Sequence, residues 1–358
     1  MENNRILVIN PGSTSTKIAV YQNHTPFFLK NINHSIDDLR KFERITDQYG
    51  FRKDIILKEL KQAEIDLSTI KIIIGRGGLV KPIESGIYEV NDAMRRDLLE
   101  GYLGEHASNL GGLIAYDLAQ LLNGTKALIA DPVVVDELQD VARIAGHPLF
   151  KRHSIFHALN QKAIARSYAH SHDKKYEEVN LIVAHMGGGI SVGAHCNGKV
   201  IDVNNALDGE GPLSPERSGT IPAGQLAQLC YSGKYKYDEI KKMIVGEGGL
   251  IAYFGTNDAY KIELQARSGD NEALLIQNAM SYQVAKIIGE MAAVLNGEVD
   301  AILLTGGIAN NSMVTDYIKK MVKFIAPVIV YPGEDEMKAL AQNAVSIIKG
   351  ETKCKQYI

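Results

Sequence analysis

One plan occurs twice in this chain: an apolar, β-branched run, a turn of small or polar residues, and a second run of the same kind. The first copy is RILVINPGSTSTKIAVY, from Arg5 to Tyr21, and the second is NLIVAHMGGGISVGAH, from Asn180 to His195. A short apolar run bounded by turn residues reads as a buried strand. Two such hairpins imply two related domains facing each other. A third Gly-rich turn, Thr305-Gly306-Gly307, follows the run AILL at Ala301 to Leu304. Three turns of this kind, each at the end of a buried strand, point to a nucleotide held in a cleft between domains.

The remaining composition narrows the class. At 358 residues the chain can form two domains of ordinary size. Its hydrophobic fraction of 45% is that of a globular protein. A net charge of -3 provides no strong field for nucleic acid or an anionic membrane. No apolar run approaches the roughly 20 residues that cross a bilayer. MENNRILVIN lacks a basic start followed by an apolar segment. Cys196, Cys230 and Cys354 are odd in number and far apart, so they form neither a metal spacing nor a disulfide framework. A reducing, cytoplasmic setting is the expectation.

Strands and helices alternate through both halves, which argues for an α/β fold. The pattern predicts a three-stranded meander at 5–9, 17–21 and 26–30, then helices at 35–48 and 51–64. A strand follows at 70–74, helices at 91–102 and 109–122, and a strand at 125–130 ended by Asp131-Pro132. After a helix near 157–172 the plan repeats: a hairpin at 181–195, a strand near 199–203 and an irregular segment, NNALDGEGPLSPERSG, at 204–219. Pro222 opens a helix in the position that tolerates proline. A long helix is expected at 272–296, a strand at 300–305, and helix, strand, helix at 311–324, 328–331 and 334–349. The expected hinge lies near 131–138. The first domain is then 1–133, with the C-terminal helix and tail 338–358 packed back on it, and the second is 134–337.

Among local motifs NPGSTSTK, Asn10 to Lys17, is the strongest. Gly12 tolerates positive φ, which lets successive backbone N–H groups converge on one anion, and Ser13, Thr14, Ser15 and Thr16 add hydroxyls. A polar β-turn is the competing reading of this segment alone. The plan recurs at His185-Met186-Gly187-Gly188-Gly189-Ile190-Ser191. Three consecutive glycines between β-branched strands are costly unless something approaches the backbone closely. Gly193 to Lys199 nearly spells a P-loop, but Val200 stands where Ser or Thr would hold Mg²⁺, and Asn197-Gly198 is a better type I′ hairpin turn. In Gly75-Arg76-Gly77-Gly78 an arginine ends a buried strand among glycines, suited to a bidentate grip on carboxylate or phosphate. A surface turn is the alternative. Arg217, in PERSG, makes the same case in the second half. Asp131 sits just after a strand, where α/β folds place functional side chains, or else serves as a turn former. His106 in GEHASN and His157 in RHSIFHALNQ each have an ordinary structural reading. Glu336 in PGEDEMKALA either holds Mg²⁺ through water or favours a helix N-terminus.

Together these residues resemble the acetate and butyrate kinase family, part of the actin-like, sugar-kinase-like ATPase superfamily with a ribonuclease H-like fold. ILVINPGSTSTK looks like the family's first phosphate signature, HMGGGIS like its second, and ILLTGGIANN like its adenosine motif. GRGGLVKPIESGIY, GEHASNLGG and DGEGPLSPERSGTIP resemble the butyrate kinase branch. Acetate kinases carry an HRVVHGG-type motif where this chain has Gly75 to Gly78, and a GFHGTSH-type motif where it has IFHALNQ. The resemblance implies two α/β domains with duplicated cores, ATP/ADP and Mg²⁺ as cofactors, and a homo-oligomer built on dimers. It implies that Asn10, Arg76 and Arg217 face the transferring phosphoryl group and that His157 donates a hydrogen bond to it. Asp131 would position Mg²⁺ and substrate, Glu336 would sit in the metal's outer shell, and His106 would lie near the substrate. Gly12, Ser13, Thr14, Ser15, Lys17, His185, Gly187, Gly188, Gly189, Gly306, Gly307 and Asn310 would hold the nucleotide.

The chemistry is consistent with this. A carboxylic acid with a pKa of about 4–5 is already an anionic nucleophile at neutral pH. No general base is required, and no nucleophile–base pair is evident in the sequence. The reaction needs charge neutralisation, positioning and exclusion of water, for which domain closure is the expected device. The expected activity is ATP-dependent phosphorylation of a short-chain fatty acid, butyrate first. Branched-chain, propionate or acetate kinase is the alternative, and a non-catalytic nucleotide-switch module on the same fold is the reading from another class.

Overall fold

The computed structural model describes residues 4–358. Twelve strands run along them: β1 (Arg5–Pro11), β2 (Ser15–Gln22), β3 (Thr25–Asn33), β4 (Ile70–Arg76), β5 (Ile87–Glu89), β6 (Lys126–Ala130), β7 (Leu181–Met186), β8 (Ile190–Cys196), β9 (Lys199–Val203), β10 (Ala301–Gly306), β11 (Val328–Pro332) and β12 (Lys355–Gln356). They form two sheets, and the chain divides into two compact units, 1–135 with 335–358, and 136–334.

The first unit is built on a seven-stranded sheet of order β12-β5-β6-β4-β1-β2-β3. β1 pairs antiparallel with β2 and parallel with β4, which pairs parallel with β6. Side chains alternate across a strand. Leu7, Ile9, Ile18 and Ile73 accordingly join one core with Ile56, Leu60, Leu98, Leu110 and Leu113 from the helices Tyr49–Gln62, Asp92–Glu100 and Asn109–Gln120. Ile6, Val8 and Ile74 are also buried. The helix Glu336–Ile348 packs on β1, β4 and β6. Coverage of both faces is why these strands read as unbroken apolar runs.

The glycines around Arg76 follow from helix packing. The helix Asn109–Gln120 crosses β4 so closely that a Cβ on Gly75 would strike the Gly111 carbonyl. A Cβ on Gly111 would strike the Arg76 backbone.

The second unit has a five-stranded sheet of order β11-β10-β7-β8-β9. It repeats the plan: β7-β8-β9 is an antiparallel meander, and β10 lies parallel to both β7 and β11. One face is covered by Asn271–Val294 and Ser312–Val322, the other by Ala158–Ser171.

Several elements depart from the sequence expectation. The helix expected at 35–48 is instead a four-residue helix, Ile36–Leu39, and a turn, Thr46–Gln48. The Asp47 carboxylate accepts from the Arg44 N–H at 3.1 Å, a side-chain bond that competes with helix continuation. The strands β5 and β12 and the helices Tyr237–Ile244, Leu250–Phe254 and Ala259–Arg267 were not anticipated. The first unit extends through Val135, which bridges to Ile83, and resumes at Asp335, which caps the last helix by accepting from the Lys338 N–H. Glu336 therefore belongs with the first unit.

Candidate active site

In the first unit three expected residues meet. Asn10, near the end of β1, is buried and donates from Nδ2 to Glu336 Oε2 at 2.6 Å. Arg76, the last residue of β4, places Nη2 3.0 Å from Glu336 Oε1. One carboxylate thus joins the ends of two adjacent parallel strands. Gly12, Ser13, Thr14 and Ser15 form the β1–β2 turn, with Ser13 and Thr14 exposed. Lys17 lies on β2 opposite Asn10 and is also exposed.

A residue the sequence reading passed over shapes this turn. Arg52, on the helix Tyr49–Gln62, is 1% exposed. Its guanidinium donates to the carbonyls of Gly12 (2.7 Å), Ser13 (2.9 Å) and Ser15 (3.0 Å), and to Thr16 Oγ1. Burial lowers its pKa to about 10, so it is charged at neutral pH. Thr16 Oγ1 in turn lies 2.8 Å from His34 Nε2. Burial, then the Arg52 charge, lowers the His34 pKa to about 4.

Asp131 is buried at the end of β6, with φ of 38°, a conformation that is strained for a residue other than glycine. Its Oδ1 accepts from Ser85 Oγ at 2.6 Å and the Gly86 N–H at 2.9 Å. The geometry therefore gives Asp131 a bracing contact to the segment before β5. His106 lies ahead of the helix Asn109–Gln120, its Nδ1 2.8 Å from Ser108 Oγ. Glu336 accepts from Asn10 on Oε2 and pairs with the Arg76 guanidinium through Oε1, and among the described residues no three His, Cys, Asp or Glu converge as a metal cage. That donor set suits a hard divalent cation that keeps most of its waters and is held through phosphate oxygens, with the carboxylates in its outer shell.

In the second unit the loop 204–219 is laced to the β7–β8 turn. Ser214 Oγ and the Glu216 N–H both donate to the Gly188 carbonyl, at 2.8 and 3.1 Å. Asn204 accepts from the Val192 N–H and donates to the Ile190 carbonyl. Arg217 Nη1 donates to the Ala206 carbonyl, and its guanidinium occupies the space that a Cβ on Gly189 would need. A Cβ on Gly188 would meet the Glu216 carboxylate. Charged side chains thus crowd the backbone at Gly189 and, less tightly, at Gly188.

His157 precedes the helix Ala158–Ser171, and its ring stacks on that of His185 at 4.0 Å between centroids. His185 lies 2.9 Å from Asn160 Oδ1 and 3.3 Å from Glu334 Oε2. A cavity of about 740 Å³ brings Gly187 and Gly188 together with Gly307, Asn310, Glu216 and Glu334. Ile308, from the ILLTGGIANN segment, and Asn257, Asp258 and Tyr260, which the sequence reading had not singled out, complete much of its wall. Gly306, with φ of 92°, leaves β10 tight against the Met186 backbone, which is why the third turn lies beside the second.

A sequence model described as the Acetokinase family matches residues 143–346. The chain is 56% identical to butyrate kinase 2 of Clostridium acetobutylicum over 353 residues, 99% of each chain. The chain belongs to the acetokinase family. The structure resembles the acetate kinase of Porphyromonas gingivalis, with a TM-score of 0.78, 19% identity, and 96% of this chain and 100% of that one covered. It also resembles a propionate kinase of Francisella tularensis, with a TM-score of 0.75, 20% identity, and 95% and 98% covered. At these identities the two structures attest the family's shared mixed α/β fold.

Proposed function

We propose that this protein is a butyrate kinase: it transfers a phosphoryl group reversibly between ATP and butyrate, giving ADP and butyryl phosphate. The observation that carries the reading is the 56% identity to a butyrate kinase over 99% of both chains. The site chemistry supports it. A carboxylate attacks without a base, so what the protein must supply is cationic and N–H stabilisation of the phosphoryl oxygens. In this reading Asn10, Arg76, His157 and Arg217 meet the transferring group. Glu336 holds Arg76 and Asn10 in place at 3.0 and 2.6 Å. The cavity beside Gly187, Gly188, Gly307 and Asn310 receives the nucleotide, and the first unit supplies the acyl side. Mg²⁺ bound with the nucleotide would neutralise phosphate charge, and Asp131 and Glu336 are the carboxylates that would help hold it. The enzyme is cytoplasmic and a homo-oligomer built on dimers. Among the described residues no helix is long and apolar enough to cross a membrane.

Hydroxylamine trapping of acyl phosphate, with ATP and a graded set of acids, tests the reading. Butyryl hydroxamate should accumulate with ADP in equal amounts. ATP binding with no hydroxamate from any acid would leave the nucleotide-switch alternative in place.

A further inference from the structure

Behind His157 runs a buried chain of polar side chains whose proton positions can be assigned. Gln161 lies one turn along the same helix, on the same face. One end of its amide is 3.0 Å from the Ser191 carbonyl oxygen and 2.8 Å from Ser191 Oγ. A carbonyl oxygen can only accept, so that end is the NH₂ group. The other end is therefore the amide oxygen, 3.0 Å from His195 Nε2. An oxygen there requires His195 to carry a proton on Nε2. Its Nδ1 then accepts from the Tyr176 hydroxyl at 2.7 Å. Complete burial, with the Lys162 and Arg166 charges nearby, holds the His195 pKa well below the usual histidine range, consistent with a neutral ring.

Ser191 closes the argument. Its Oγ accepts from Gln161 Nε2 and from the His157 backbone N–H at 3.3 Å, which occupies both lone pairs. The hydroxyl proton then points to the remaining neighbour within reach, His157 Nδ1, at 2.9 Å. We infer that Ser191 and Gln161 are positioning residues that fix His157 as its Nε2–H tautomer, so that its outer nitrogen presents an N–H donor and not a lone pair. Phosphoryl oxygens are acceptors only, so this tautomer is the useful one. That last step rests on the kinase reading; the tautomer itself does not.

The test is ring-nitrogen chemical shifts in histidine-labelled protein near neutral pH, with His157 assigned by the signal lost in His157→Gln. The wild-type protein should show a protonated Nε2 and a bare Nδ1 on His157. A proton on Nδ1, alone or with Nε2, overturns the proposal whatever the enzyme phosphorylates. In Ser191→Ala the signal should move to a mixture of tautomers, with kcat reduced about tenfold and nucleotide KM unchanged. Gln161→Met should produce the same shift by freeing the Ser191 hydroxyl to turn. An unchanged pure tautomer in a folded variant of either kind also overturns it. A correct tautomer without acyl hydroxamate would instead reject the kinase reading alone.

Discussion

The Arg217 guanidinium bonds through Nη1 to the Ala206 carbonyl and packs on Gly189. Both fix the guanidinium in one place, which is what a group that must meet a transition state requires. Arg217→Ala should lower kcat at least ~100-fold, the scale of losing one charge partner in the transition state, with ATP affinity little changed. Steady-state kinetics with calorimetric ATP binding decides it, and near-normal turnover would remove Arg217 from the reaction. His34 gives a prediction about pH. Its folded pKa is about 4 and its ordinary value 6.5. Between these values the unfolded chain takes up a proton that the folded chain refuses, so stability falls as pH drops through that window. Above 6.5 the ring is neutral in both states and the effect vanishes. Urea unfolding at neutral and at mildly acidic pH should show a smaller acid loss in His34→Gln than in the wild-type protein. Equal losses would mean that His34 is protonated in the folded state.

The elements easiest to read from sequence were the strands buried on both faces. β1, β7 and β10 are apolar at nearly every position, and such short runs have no amphipathic helical alternative. The broken helix at 35–48 was not legible, because the bond from Arg44 N–H to the Asp47 carboxylate competes with the pattern. β5 and β12 are three and two residues long and exist through pairing with partners, which local sequence does not record. The site shows the same division. Glycine at 187–189 was legible as unusual, but the side chains that crowd Gly188 and Gly189, those of Glu216 and Arg217, lie in another loop. Arg52 looked like an ordinary helix residue, since only the folded turn brings three carbonyls to it. The glycine pair at the crossing of β4 and the helix Asn109–Gln120 carries a prediction of its own. Gly111→Ala forces the helix off the sheet and should destabilise the first unit by about 1–3 kcal/mol, measured by urea unfolding. A neutral result would mean the crossing can shift without loss.

At the scale of the whole molecule the expected outcome is substrate choice. Butyrate has two more CH₂ groups than acetate, and each buried CH₂ contributes about 0.8 kcal/mol, so full burial gives about 1.6 kcal/mol, somewhat over tenfold in kcat/KM. Propionate, valerate and isobutyrate should therefore react, with butyrate best and acetate poorest. The measurement is kcat/KM for the five acids under saturating ATP, and acetate as best substrate would overturn the butyrate assignment while leaving the kinase intact. The division of the chain also bears on how the molecule is made. Residues 136–334 are contiguous, whereas the first unit needs the helix Glu336–Ile348 and β12, which follow them. A ribosome therefore delivers everything the second unit requires while Ile6, Val8 and Ile74 still wait for the helix that covers them. A chain released after Glu334 should yield a protease-resistant core from 136–334 and none from 4–135. Translation thus sets an order of assembly, with the unit begun first completed last.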